Sequence, residues 1–192
     1  MKLEREIRDV ISEYYPSNVE YTIDKYPNNS YCKLLMERCK LALNENSIWL
    51  SFLNSPKHKN FKERIDESLL VGGEPCYRCS IATLKSKDTS IVVTYFVQVS
   101  VIFDCYFLYM TKSRLNPSPP PLIEHFGYDF DLPGTAETNY FVLKGIVEEF
   151  FPGHEELRSG LVHKTVNNVR VPNKFGPDPP SIFECLFGVR MF

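Results

Sequence analysis

Apolar and polar positions alternate more regularly along one stretch than anywhere else in the chain. From Ile91 to Tyr109 every odd-numbered residue is apolar or aromatic, and the polar residues Thr94, Gln98, Ser100 and Asp104 all fall on even numbers. A period of two sends successive side chains to opposite faces of a strand, so the pattern predicts β-structure over 91–110. No Gly, Pro or Asn interrupts residues 90–111. A straight strand of about 20 residues would run ~65 Å, whereas a chain of this size folds into a body roughly 40 Å across. The stretch is therefore expected to bend, by a bulge near Gln98–Ser100, or to hide a turn without turn residues. The bent central strand is the form taken forward, with Tyr95, Val97, Val101 and Phe103 facing the core.

Helical spacing dominates the N-terminal part. Leu3, Ile7, Val10, Ile11 and Tyr14 predict a helix over 2–15, closed by Pro16. Tyr31, Leu34, Leu35, Cys39, Ala42 and Leu43 predict a second over 30–44, with Ser30 as its N-cap. A shorter apolar segment runs from Ile48 to Leu53. Phe61, Ile65 and Leu69 predict a helix over 60–70, opened by a capping-box-like Asn60…Glu63 and ended by Gly72-Gly73.

Strand spacing begins at Pro75, where Tyr77, Cys79, Ile81 and Thr83 alternate, and the polar run Lys85–Thr89 reads as a hairpin connection. The proline run at 114–121 reads as a stiff connector. Alternation resumes from Leu122 to Phe130, a helix is expected over 138–151, and short extended pieces near Lys164–Val171 and Ser181–Phe187. The fold class is α+β: N-terminal helices packed on an antiparallel β-meander with a long bent central strand, then a C-terminal helix and short strands, in a single domain over 1–192.

Composition narrows the function classes. With 43% hydrophobic and 24% charged residues the chain has the makeup of a folded globular protein. A formal net charge of −2 argues against a dedicated nucleic-acid binder, which needs a concentrated basic face. The only dense basic segment, Lys57-His58-Lys59 with Lys62 and Arg64, reads as a solvated helix end. The run 91–110 does not read as a membrane span: Asp104 lies inside it, its residues are β-branched and aromatic, and its polar positions keep a period of two. The charged N-terminus lacks the apolar core of a secretion signal, so the six cysteines are expected as free thiols in the cytoplasm.

Motifs for chemistry are sparse. Cys76-Tyr-Arg-Cys79 has C-x-x-C spacing, but it opens a strand and has no second cysteine pair to complete a zinc site. His154-Glu155 lacks the second histidine of a metalloprotease helix, since position 158 is Arg158. Glu148-Glu149 and Glu155-Glu156 are neighbours that point in different directions on a helix, so neither pair is a ready acid–base dyad. No catalytic, cofactor-binding or metal-binding residue is assigned. Glu124, Tyr128, Asp129 and Asp131 form an acidic, aromatic-rich strand end, which suits a contact patch where aromatics anchor and acids steer a basic partner.

The tail adds a resemblance. A helix ending Ile-Val-Glu-Glu-Phe-Phe (146–151), a Pro-containing break, a Val-rich extended piece and a terminal Pro-Ser-Ile-Phe-Glu-Cys-Leu-Phe (180–187) look like the C-terminal pattern of some immunity proteins of bacterial polymorphic toxin systems. The resemblance covers the last quarter of the chain and implies a cytoplasmic protein that binds and neutralises a cognate toxin without catalysis. The expectation is therefore a protein-binding module with a protein partner, no cofactor, no nucleic acid and no membrane, and with a homodimer along the long strand as a further option. The competing class is a small hydrolase whose site is assembled from scattered residues such as His125, His154 or Cys185.

Overall fold

The structure, a computed structural model, describes residues 2–15, 29–58, 61, 63–82, 91–115, 123–129, 135–171, 174 and 178–188. At its centre is an antiparallel meander of β1 (Glu63–Asp66), β2 (Cys76–Ala82), β3 (Ile91–Ser100), β4 (Cys105–Leu115) and β5 (Ile123–Asp129), neighbours in that order. A two-residue strand, β6 (Glu155–Glu156), runs parallel to the start of β4. The helices are α1 (Lys2–Tyr14), α2 (Ser30–Asn44), α3 (Ser47–Leu53), α4 (Thr135–Phe150), α5 (Ser159–Val162) and α6 (Ile182–Phe187). The fold is α+β, with helices preceding the sheet as the sequence predicts. Among the described residues no helix is long and apolar enough to cross a membrane.

The long apolar stretch is two strands, not one bent strand. β3 and β4 pair antiparallel from Ile91↔Arg114 to Val99↔Tyr106, and Val101–Asp104 make the connection. This turn needs no Gly or Pro because neighbouring segments take up its backbone groups. Val101 N donates to Pro75 O at 2.8 Å, Asp104 O accepts from Glu155 N at 3.0 Å, and Cys105 N donates to Phe103 O at 2.7 Å. Ser100 Oγ accepts from Ile102 N at 3.3 Å. Val101 and Ile102 are buried, so the turn is held by apolar contact and stays within the hydrophobic run.

Both faces of the sheet are covered, which explains why the even-numbered positions of β3 are mixed yet buried. On one face Cys76, Phe96, Cys105, Phe107 and Tyr109 pack against Ile7 and Ile11 of α1, Leu35, Cys39 and Ala42 of α2, and α6. Phe107 meets Phe183 and Phe187 of α6 at ring centroid distances of 5.5 and 6.3 Å. Arg78, Ser80, Gln98 and Ser100 are buried as well. On the other face Cys79, Ile81, Tyr95, Val97, Val99, Tyr106, Leu108 and Met110 pack against Trp49 and Phe52 of α3 and Leu143, Ile146 and Val147 of α4. Trp49 stacks on Phe52 and on Tyr77, each at 5.2 Å. Tyr95 and Val97 thus face a core as expected, while Val101 and Phe103 belong to the turn.

Three local expectations are corrected. Residues 60–70 do not form a helix: β1 pairs with the edge of β2 from Glu63↔Ala82 to Asp66↔Cys79, and Leu70–Gly72 make a single 3-10 turn closed by Gly73 at φ 81°. The proposed helical stripe is not a buried face, since Phe61 is buried but Ile65 is 54% exposed. An open strand edge satisfies the backbone of such a short segment better than a helix with one apolar contact. Ser181–Phe187 is not extended: Ser181 caps α6 in a reciprocal box with Glu184, and Ile182, Phe183, Cys185, Leu186 and Phe187 are all buried. Lys164–Val171 forms no extended strand: it holds isolated bridge positions at Thr165, paired with Ser181, and at Val169. The loop at 16–28, the hairpin connection at 83–90 and residues 116–122 lie outside the described residues.

Candidate functional site

The predicted contact strand exists as β5, next to β4 at one end of the strand order. Glu124 pairs with Arg114, Tyr128 with Thr111 and Asp129 with Met110, with an irregularity of register between Thr111 and Ser113. Glu124 and Asp129 are five positions apart, about 17 Å along a strand, so they mark the two ends of β5 and not one cluster. Asp131 lies outside the described residues.

The thiol motifs lose their chemistry to geometry. Cys76 and Cys79 are three positions apart on one strand, so they fall on opposite faces: Cys76 belongs to the core under α1, α2 and α6, Cys79 to the core under α3 and α4. They cannot share a metal or form a disulfide. Burial pushes the Cys76 thiol up to about 12 and the Cys39 thiol up to about 11, and it raises Cys79, Cys105 and Cys185 further. Cys185, one of the residues named for the hydrolase reading, is fully buried in α6. Among the described residues no group of three or more His, Cys, Asp or Glu is placed to hold a metal ion.

The histidines are likewise dispersed. His125 pairs opposite Ser113, whereas Glu155, next to His154, pairs opposite Cys105. Eight positions of β4 separate the two sites, about 26 Å, so they cannot join in one active centre. His154 Nε2 lies 4.0 Å from Asp104, whose side chain is 87% exposed. Burial lowers the His154 pKa and Asp104 partly offsets it. His58 sits inside the α3 side of the core, its Nε2 3.0 Å from Phe52 O, and burial lowers its pKa too.

Two polar clusters are brought together that sequence neighbours do not reveal. Lys144 of α4 bridges one carboxylate from each of the two acidic pairs, Glu156 at 2.5 Å and Glu148 at 3.6 Å, and the Tyr106 hydroxyl donates to Glu148 at 3.1 Å. Burial raises the Glu156 and Tyr106 pKa values, the second reinforced by Glu156 and Glu148. The Lys144–Glu148 spacing of four was readable as a helix pair, but Glu156 joins only because β6 docks on β4. In the second cluster, Arg78 Nη1 lies 3.4 Å from Glu74, and Arg78 Nη2 donates to Phe187 O at 2.9 Å, as does the Cys76 thiol at 3.1 Å. This arrangement places a guanidinium at the C-terminal end of α6, where the helix dipole favours positive charge. Both clusters tie elements together, and neither opens onto a described cleft.

The outward sides of the helices carry a different signal. On α2, Tyr31, Leu34 and Leu41 stand exposed outside the buried Leu35–Cys39–Ala42 face, with Leu41 46% exposed. On α4, Phe141 is 57% exposed and Val142 also faces outward. No protein-family model matches this chain, and no curated protein and no solved structure matches it. The class defined by fold and site is therefore an α+β protein with a sheet enclosed between two helical layers and with apolar side chains displayed on both.

Proposed function

We propose that the chain is a non-catalytic protein-binding module, most specifically an immunity protein that binds and neutralises a cognate bacterial toxin in the cytoplasm. The observation that carries the binding reading is the display of large apolar side chains on helices at both faces of the sheet: Leu34 and Leu41 on α2, Phe141 and Val142 on α4. Exposed apolar groups gathered on one side of a helix cost solvation free energy in the free protein and recover it on contact with a partner. The toxin partner comes from the resemblance of residues 146–151 and 180–187 to the tails of immunity proteins.

The test is co-expression in a bacterial host with the toxin domain encoded directly upstream. The expected result is rescue of growth and a stable complex on size-exclusion chromatography. Unrelieved toxicity with the chain expressed and folded would overturn the immunity reading.

A further inference from the structure

We infer that the short turn after α3, Pro56–His58, is a proton-operated latch: charging the His58 ring expels it from the core and opens this corner of the fold while the β3–β4 pairing holds. His58 is 1% exposed and sits edge-on between Phe52 of α3 and Phe61, at ring centroid distances of 4.8 and 6.3 Å. Phe61 in turn meets Tyr95 of β3 at 6.1 Å, so the imidazole links α3 to the sheet at this corner. Its Nε2 lies 3.0 Å from Phe52 O. A carbonyl only accepts, so the neutral ring carries its proton on Nε2, and Nδ1 is left buried without a partner.

Protonation adds an N–H at Nδ1 where no acceptor stands, and it places a charge in an apolar pocket. The charged groups around the ring do not offset this. α3 carries no titratable residue. With Ile81 and Cys79 as their partners, Arg64 and Asp66 are the β1 positions on the α3 side. Arg64 acts on the ring with like charge, its guanidinium fixed on Ser55 O at 2.9 Å. Asp66 accepts from the Ser68 amide and hydroxyl. Lys57, exposed in the turn itself, pairs with the half-exposed Glu149 of α4. Lys59 and Lys62 lie outside the described residues, and a lysine offers no acceptor. The turn is held by little: Ser55 N on Phe52 O at 3.1 Å, His58 N on Ser55 O at 3.3 Å and Lys57 N on Ser55 Oγ at 3.2 Å. The sheet behind it is an unbroken ladder from Ile91↔Arg114 to Val99↔Tyr106. The cost of a charged ring therefore falls first on the turn, which opens without the sheet.

The test is 15N-resolved amide exchange on the full chain across pH values on both sides of about 6.5, with a low-urea series at each. The His58 and Phe61 amides bond to Ser55 O and His58 O. They are expected to exchange through an opening that urea barely promotes, because little surface is exposed, whereas β3 amides need a costlier, urea-sensitive opening. Burial lowers the His58 pKa, so the open state binds more protons than the closed one. The opening constant of the turn, corrected for intrinsic exchange, should rise by up to about tenfold per pH unit as pH falls below ~6.5. His58→Gln should abolish that rise, and His154→Gln should leave it in place. Should His58→Gln fail to fold, the wild-type ring decides: its 15N shifts should show a neutral form protonated on Nε2 that titrates below ~6.5. A flat opening constant, a neutral ring protonated on Nδ1, a rise removed by His154→Gln, or turn amides that share the urea slope of β3 would each overturn the inference.

Discussion

Replacing Arg78 with Met tests whether the buried charge cluster holds α6 in place. Arg78 is 1% exposed in the middle of β2, paired with Glu74 and bonded to the Phe187 carbonyl that ends α6. Methionine keeps much of the aliphatic volume and removes the guanidinium. Glu74, 8% exposed, then loses the cation beside it, and breaking one side of a buried pair costs about 3–5 kcal/mol. The Phe187 carbonyl keeps the Cys76 thiol as a donor, so little is added from that end. For a chain of this length that destabilisation corresponds to a melting temperature lower by roughly 6–20 °C. Urea unfolding measures it directly, and amide exchange in α6 locates it. The double variant Glu74→Leu with Arg78→Met should recover most of the loss, because an apolar replacement of a whole buried pair is often neutral. A single-variant cost below about 1 kcal/mol, the range of exposed ion pairs, would refute the clamp.

Three further outcomes follow from the same packing. Ser181→Ala removes the hydroxyl that accepts from Glu184 N, and should cost about 1 kcal/mol in urea unfolding, the usual worth of an N-cap. Gly188→Ala should cost more than Gly73→Ala in the same assay. Both sit at positive φ, but the added Cβ meets the Glu74 side chain at 3.0–3.3 Å in the first case and only the flexible Met36 sulfur at 3.1 Å in the second. His58 and His154 have folded pKa values below the unfolded reference of about 6.5, because burial disfavours their charged forms. The unfolded chain therefore binds more protons below that pH, so stability present at pH 7 is lost as pH falls from about 6.5 through the lowered values. His58→Gln should flatten that part of the profile, and an unchanged slope would contradict the burial of His58.

Much of the architecture was readable because long periodic segments override local ambiguity. α1 and α2 appear within a residue of their expected spans, and β2, β5 and α4 lie where alternation or helical spacing placed them. The failures have physical causes. The β3–β4 turn carries no turn residues since Pro75 and Glu155, distant in sequence, accept and donate its backbone bonds. β1 forms because the edge of β2 is available to it, which no window of eleven residues records. α6 was missed although Ser181…Glu184 before an apolar run is a capping-box signature in plain view. The two-sided burial of β3 is hidden in the sequence by Gln98 and Ser100, polar residues on its even-numbered face that are nonetheless buried. The candidate surface was harder still. Helical spacing marks which side of α4 is apolar, but only packing shows that Phe141 lies on the side left outside.

The enclosed sheet also bears on the proposed binding role. With helices over both faces of β2, β3 and β4, the proposed recognition is left to the outer sides of helices and to the outer strands. The edges differ in what they offer. β1 is four residues long, and Arg64 donates to Ser55 O at 2.9 Å, tying this edge back to the segment after α3. Short charged edge strands discourage added pairing. β5 is longer, at seven residues, and pairs antiparallel with β4. α2 and α4 instead display apolar side chains, Leu34 and Leu41 on the first and Phe141 and Val142 on the second, whose exposure costs the free protein solvation free energy. Such a cost, kept in the folded state on both helices, is what the proposed binding role accounts for.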